Sequence, residues 1–226
     1  SPRTAGRRPI ASVGVRVVVT GGAGFIGANL CAHLSSLDHV SEVVALDDLS
    51  TGSRDNLAGV DATLVEGSIL DQDVVASVLD GADAVVHLAA RPSVPRSIED
   101  PIASHRANVD GTLNVLEGAR ASGRSPHIVF ASSSSVYGAN RELPKRESGA
   151  TIPRSPYAAS KLAAESYVLA YQDSFGLASI PFRFFNVYGR LQAPGHAYAA
   201  VVPSFLYEAL QRRPVVVHGD GTQTRD

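Results

Sequence analysis

The chain has 226 residues, 44% hydrophobic and 19% charged, and its 20 Lys+Arg against 22 Asp+Glu give a formal net charge of −2. That length fits one large domain, or one domain plus part of another, and the balanced charge argues against a general nucleic-acid-binding surface, which needs a basic excess. A single cysteine, Cys31, excludes a disulfide framework and a Cys-rich zinc site and suits a reducing, cytoplasmic compartment, while no apolar run reaches the roughly 18 residues of a membrane-spanning helix.

Residues 1–13 carry Arg3, Arg7 and Arg8 and no apolar stretch, so they read as a flexible tail and not as a signal peptide. From there short β-branched runs alternate with longer helical patterns. Strands are expected at Val15–Thr20, 42–46, 62–65, Ala84–His87, 127–131 and 180–185, the last weakened by Pro181. Helices are expected at 25–36, 71–79, 99–122 and 156–175. The strands are apolar without alternation, which means burial on both faces, and their alternation with helices builds parallel βαβ units. The predicted fold class is α/β, a doubly wound parallel sheet. Residues 138–156 are polar, hold three prolines and read as a loop. After Asn186 the pattern changes to a helix at 201–212 and a short strand at 214–218, and then stops. The expected organisation is a tail (1–13), a doubly wound domain (14–185) and the beginning of a second, smaller domain (186–226).

Two constellations carry chemistry. The segment VVVTGGAGFIGANL sets Gly21, Gly24 and Gly27 between a strand and a helix. Gly21 permits the tight turn, Gly24 lets backbone approach a pyrophosphate, and Gly27 lets the helix pack close to the strand. The helix N-terminus then offers free N–H groups to phosphates. After the next strand comes Asp47, twenty residues beyond Gly27. A carboxylate there can accept hydrogen bonds from both ribose hydroxyls and repels a 2′-phosphate, so NAD is favoured over NADP. A glycine turn with a helix-capping Asp is the alternative.

The second constellation begins where strand 127–131 runs into Ser132–Ser135, at the strand end that faces the ligand crevice of such sheets. SPYAASK then places Tyr157 and Lys161 four residues apart on one helix face. An ammonium beside a tyrosine favours the phenolate and lowers the phenol's ordinary value near 10. A tyrosine tuned this way can remove a proton from a sugar or alcohol hydroxyl near neutral pH. A serine-rich turn and a surface Tyr/Lys pair are the bland readings. His87, His105, His127, His196 and His218 are scattered without metal-ligand spacing, so no metal is expected, and hydrogen-bonded or solvated imidazoles are. Arg91 and Arg96, in the loop after the fourth strand, read either as loop charges or as groups facing the crevice.

Taken together, TGGAGFIG, DDLSTG, HLAA, NVDGTLNVLEGAR, SSSSVYG, YAASK, RFFNVYG and GDGTQTRD resemble, in order, the extended short-chain dehydrogenase/reductase family of NAD-dependent nucleotide-sugar epimerases and dehydratases. The resemblance runs from about residue 14 to 226 and implies a Rossmann domain with NAD as cofactor. It implies that Gly21, Gly24, Phe25 and Ile26 hold the pyrophosphate, that Asp47 holds the adenosine ribose, and that Asp48, Leu49, Ser50, Thr51 and Gly52 form the loop beside it. It further implies that Ser68 and Ile69 contact the adenine, that Leu88, Ala89 and Ala90 run along the cofactor, and that Asn108 supports its pocket. Ser133, Tyr157 and Lys161 match the catalytic set: hydroxyl partner, base, and the lysine that holds the nicotinamide ribose. Asn186 and Arg225 match residues that grip the nucleotide-sugar diphosphate, and Val216 to His218 match a segment beside the uridine. Ser68 stands where the family often has Asp, which puts the adenine amino contact in question. Family members usually form homodimers through two helices, here 101–122 and 157–175.

The resemblance also ranks the chemistries. Members oxidise the sugar at C4 and then diverge. The 4,6-dehydratases place an acid pair just after the catalytic hydroxyl, and the uronate decarboxylases a Glu two residues before the motif Tyr. Here those positions are Ser134 and Ser135, poor proton-transfer groups. What remains is 4-epimerisation of a UDP-hexose. The UDP-glucuronate 4-epimerases tend to have Thr at the Asn186 position and Arg at that of Ala193, so a neutral hexose or N-acetylhexosamine is expected. A reductase using the same triad, and a catalytically idle NAD-sensing domain, are the other readings.

Overall fold

The computed structural model describes residues 14–192, 201–217 and 219–222; the expected tail at 1–13 and the positions His218 and Arg225 lie outside them. Among the described residues six strands form one parallel sheet: β1 (Val15–Thr20), β2 (Val40–Asp47), β3 (Thr63–Glu66), β4 (Ala84–His87), β5 (His127–Ser133) and β6 (Ser179–Phe184). Their order is β3-β2-β1-β4-β5-β6. This is the doubly wound arrangement, with its switch point between β1 and β4, where a ligand crevice opens at the C-terminal strand ends.

The uninterrupted valines of β1 explain the two-sided burial. Val17 and Val19 point to one face, with Val43, Ala45, Ala28 and Cys31. Val18 points to the other, with Val44, Leu46, Val85 and Phe130. The helices α1 (Phe25–Leu34), α2 (Gln72–Leu79), α5 (Gly111–Ala121) and α6 (Pro156–Phe175) cover these faces. Side chains begin two of them: Asp71 accepts from the amides of Asp73 and Val74 at α2, and Ser155 accepts from Ala158 at α6, with Pro156 in the first turn. Gly176, in the left-handed region at φ 70°, ends α6.

Three expectations need correction. The helix expected at 99–122 is broken into α3 (Val94–Glu99), α4 (Pro101–His105), a π turn (Arg106–Asp110) and α5. Asp100 leaves the helical region at φ −143°, and its side chain caps α4 by accepting from Ala103, while Pro101 cannot continue the helix before it. The strand expected to stop at 131 continues through Ser132 and Ser133, which pair with Arg183 and Phe184 of β6. Residues 214–217 form no strand; Val216 is 70% exposed, and β-branched residues need a pairing partner to make one. The helix expected at 201–212 is α7 (Val201–Leu210). Among the described residues no helix is long and apolar enough to cross a membrane.

Candidate active site

The glycine turn sits at the end of β1 and crosses the end of β4. Gly21 has φ +71°, and a Cβ there would lie 2.8 Å from the Ala89 nitrogen, so only glycine lets the two segments pass. Gly24 begins α1 without any side-chain cap, and the first-turn amides of Phe25, Ile26 and Gly27 have no carbonyl below them in the helix. A Cβ at Gly27 would meet the Gly21 carbonyl oxygen at 2.1 Å. Gly27→Ala should therefore destabilise the protein by about 1–3 kcal/mol through overpacking and open the turn, read as a lower melting temperature and weaker dinucleotide binding.

Asp47, the last residue of β2, is 8% exposed. One carboxylate oxygen accepts from the Ala23 amide at 2.9 Å and the other from the Leu49 amide at 2.8 Å. Each oxygen keeps a lone pair free for a hydroxyl donor. Gly52 passes so close that a Cβ would touch Ala23 at 2.8 Å and Asp47 Oδ1 at 3.0 Å. Asp48 accepts from the Ser50 amide and hydroxyl, Leu49 takes φ 57°, and Thr51 is exposed. Uncapped helix amides, a glycine-only floor and a carboxylate held by its backbone neighbours fit a dinucleotide.

The other expected cofactor residues lie in three places. Leu88 donates to the Thr20 carbonyl and Ala89 to the Thr20 hydroxyl, which brings 88–90 against the glycine turn. Ile69 is buried beneath α5, where a Cβ at Gly111 would strike its Cδ1 at 2.4 Å, and its carbonyl accepts from Asn114. Its side chain is therefore core, and the Ser68 hydroxyl accepts from the Leu70 amide. Asn108, 1% exposed, lies in the π turn. It accepts from the Arg91 amide at 2.7 Å and donates to the Ser160 hydroxyl at 2.9 Å, joining the loop after β4 to α6. The Arg91 Nε is buried without a hydrogen-bond partner.

Ser133 ends β5, and Tyr157 and Lys161 lie on the first two turns of α6. The Ser133 hydroxyl lies beside the Tyr157 phenol and favours its ionised form, so the hydroxyl and the expected base come together. Lys161 is 3% exposed; its ammonium donates to the Ala131 carbonyl at 2.9 Å and sits 5.0 Å from the Phe130 ring centre. Burial lowers its pKa from 10.5 to about 8. Burial also pushes the Tyr157 phenol above its ordinary value, and the neighbouring Ser133 hydroxyl only partly opposes this. In the protein alone the phenol is therefore raised by its burial, and the Lys161 ammonium is turned to the β5 backbone.

The expected substrate residues are less gathered. Asn186 is exposed two residues beyond Phe184, the β6 partner of Ser133, and so lies past the same sheet edge. Val216 is exposed, in the unpaired stretch described above. The sequence reading missed a buried support behind the triad. Glu165, one turn beyond Lys161, accepts from Ser132 at 2.5 Å and from Arg183 at 2.7 Å, and the Arg183 guanidinium lies over the Tyr137 ring at 4.9 Å. The i,i+4 spacing of Lys161 and Glu165 was the available signal. Ser97, also missed, accepts from the Tyr157 amide at 3.0 Å.

Residues 17–226 match the model of the NAD dependent epimerase/dehydratase family. The chain is 38% identical over 217 residues to a UDP-glucose 4-epimerase of Mycolicibacterium smegmatis, a match covering 94% of this chain and 68% of the relative. Among solved structures it is similar to a UDP-N-acetylglucosamine 4-epimerase from Methanobrevibacter ruminantium in complex with UDP-N-acetylmuramic acid, with TM-score 0.87, 36% identity and coverage of 93% and 67%. It is also similar to a Thermus thermophilus UDP-glucose 4-epimerase in complex with NAD, with TM-score 0.80, 37% identity and coverage of 89% and 64%. The chain thus spans about two thirds of the length of these relatives.

Proposed function

The chain belongs to the NAD-dependent epimerase/dehydratase family, and we propose that it interconverts UDP-hexoses, UDP-glucose with UDP-galactose or the N-acetylhexosamine pair, as a 4-epimerase. The observation that carries this reading is the Ser133–Tyr157–Lys161 set at the mouth of the crevice, followed by hydroxyls alone at Ser134 and Ser135. Gly21, Gly24 and the first-turn amides of α1 would hold the pyrophosphate of NAD, and Asp47 the adenosine ribose; the cofactor, when bound, supplies a hydride acceptor and a positive charge. Tyr157 takes the proton from the sugar 4-hydroxyl and returns it at the end. Ser133 steadies that oxygen by hydrogen bonding, and the Lys161 ammonium stabilises the phenolate.

Dehydration and decarboxylation each need a further acid. The carboxylate nearest in sequence on α6, Glu165, is 4% exposed and committed to Ser132 and Arg183. Residues 186–226 are assigned to the start of the substrate domain, with Asn186, Val216, His218 and Arg225 on the nucleotide-sugar side. The same reading makes the protein a cytoplasmic homodimer. Exposed Ile102 on α4, and Tyr167 and Leu169 on α6, are apolar side chains that a second copy would cover, to be checked by sedimentation.

Product analysis after incubation with UDP-glucose, UDP-N-acetylglucosamine and UDP-glucuronate tests the proposal. The 4-epimer of one of the first two is expected. Accumulation of a 4-keto-6-deoxy sugar or a pentose would overturn it. Asp47→Asn should weaken NAD binding by about 10- to 100-fold, since a hydrogen bond to a charged group contributes about 1.5–3 kcal/mol, and should narrow the preference over NADP. Titration with both dinucleotides reads this out, and NADP preferred by the unmodified protein would contradict the role given to Asp47.

A further inference from the structure

One buried histidine outside the triad has every one of its ring hydrogen-bonding positions filled. His87, the last residue of β4, is 1% exposed. Its Nδ1 lies 2.6 Å from the Thr20 hydroxyl at the end of β1, and its Nε2 lies 3.0 Å from the Thr112 hydroxyl on α5. The neighbours fix where the proton resides. Thr112 has one hydroxyl proton, and it is given to the Asn108 carbonyl at 2.7 Å. Thr112 must therefore accept from the imidazole, which places the proton on Nε2. Nδ1 is then bare and accepts from Thr20, whose oxygen accepts in turn from the Ala89 amide at 3.2 Å.

The chain continues beyond Thr112. The Asn108 side chain accepts from the Arg91 amide and donates to Ser160, and Ser160 donates to the Tyr157 carbonyl at 2.8 Å. Thr20, His87, Thr112, Asn108 and Ser160 are all at most 4% exposed, so water cannot substitute for a missing link without entering the core. From this directional arrangement we infer that His87 is a positioning residue, a neutral imidazole protonated on Nε2 that ties the cofactor-facing strand ends to the helix carrying Tyr157 and Lys161. This rests on the functional reading above and assigns it a further residue.

The surroundings keep the ring neutral. A second proton on Nδ1 would force Thr20 to accept twice and leave its own proton without a partner. The charged group bearing on the ring is the Lys161 ammonium of α6, and the aromatic Phe130 of β5 packs 5.6 Å away. Burial and, secondarily, that ammonium hold the imidazole down at about 3.

The test uses nitrogen-15-labelled protein and three variants. In the unmodified protein the His87 ring should show a proton on Nε2 and no titration from about pH 5 to 9. An Nδ1–H tautomer, or an imidazolium in that range, overturns the inference. His87→Phe keeps the volume and removes both bonds. It should lower kcat by up to about 10²-fold, the scale of a misplaced catalytic group, and weaken NAD binding, with KM for the UDP-sugar little changed. His87→Gln, which can still donate towards Thr112, should recover more of kcat than His87→Phe, and His87→Asn, which can still accept from Thr20, should recover more NAD affinity. A folded His87→Phe with unchanged kcat and NAD affinity, or equal behaviour of all three variants, also overturns it. Should the unmodified protein form no 4-epimer, the functional reading falls, and the tautomer and NAD affinities alone decide the role of His87.

Discussion

Tyr157→Phe is expected to lower epimer formation by roughly 10²–10⁴-fold, the usual contribution of a positioned general acid–base group. The ring stays in its packed place, the Tyr157 amide keeps its bond to Ser97, and Ser133 keeps its own bond to the Ser135 amide. Melting temperature and NAD content should therefore be unchanged, which separates lost chemistry from lost fold. Near-normal turnover in a folded, NAD-loaded variant would place the base elsewhere.

Lys161→Met should have two large effects of opposite sign. Turnover falls, by about 10²-fold or more for loss of the group that stabilises the phenolate, and the pH optimum of what remains moves upward. Stability of the NAD-free protein rises. The lysine pKa goes from 10.5 to about 8 on burial, and at about 1.36 kcal/mol per pH unit this penalises the folded, charged form by about 3 kcal/mol. Below pH 8 the side chain is charged both folded and unfolded, and the whole penalty applies. Between pH 8 and 10.5 the unfolded chain binds more protons at this residue, so the lysine's own contribution to stability climbs with pH across that window, while Cys31, raised by burial from 9.0 to about 11, opposes it above pH 9 in both proteins. The methionine variant should start higher at pH 7, and the gap between the two proteins should close as pH rises towards 10.5. Thermal melts of both proteins from pH 7 to 10.5 check it, and a Lys161→Met variant less stable at pH 7 would contradict the assigned burial cost.

The parts of this molecule that depend on local chemistry were legible in its sequence. Gly21 must sit at positive φ against Ala89, and no other residue type allows it. Ser155–Pro156 begin α6 by capping rules, which fixes Tyr157 and Lys161 in its first turns. Features that depend on distant partners were not legible. Ser132 and Ser133 look like turn residues until β6 pairs with them. The break at Asp100 and Pro101 carries its own cap signal, but the π turn that follows is stabilised by Asn108 reaching Arg91 and Ser160, far away in sequence. Glu165 reads as an ordinary helix-surface charge until Arg183, eighteen residues on, folds against it. His87 is one of seven scattered histidines until Thr20 and Thr112 converge on it. The tyrosine phenol shows the same limit. Helical spacing places it four residues from a lysine, but only the packed structure shows that burial raises the phenol.

The central claim is that the protein inverts C4 of a UDP-hexose by removing and returning the same hydrogen, with Tyr157 handling only the hydroxyl proton. Incubating UDP-glucose or UDP-N-acetylglucosamine with the NAD-loaded protein in heavy water, and following the sugar by proton NMR, tests it directly. The account predicts that the 4-epimer appears with protium retained at C4, and that Tyr157→Phe slows its appearance by roughly 10²–10⁴-fold. No epimer from either sugar, or deuterium entering at C4 as epimerisation proceeds, would contradict it.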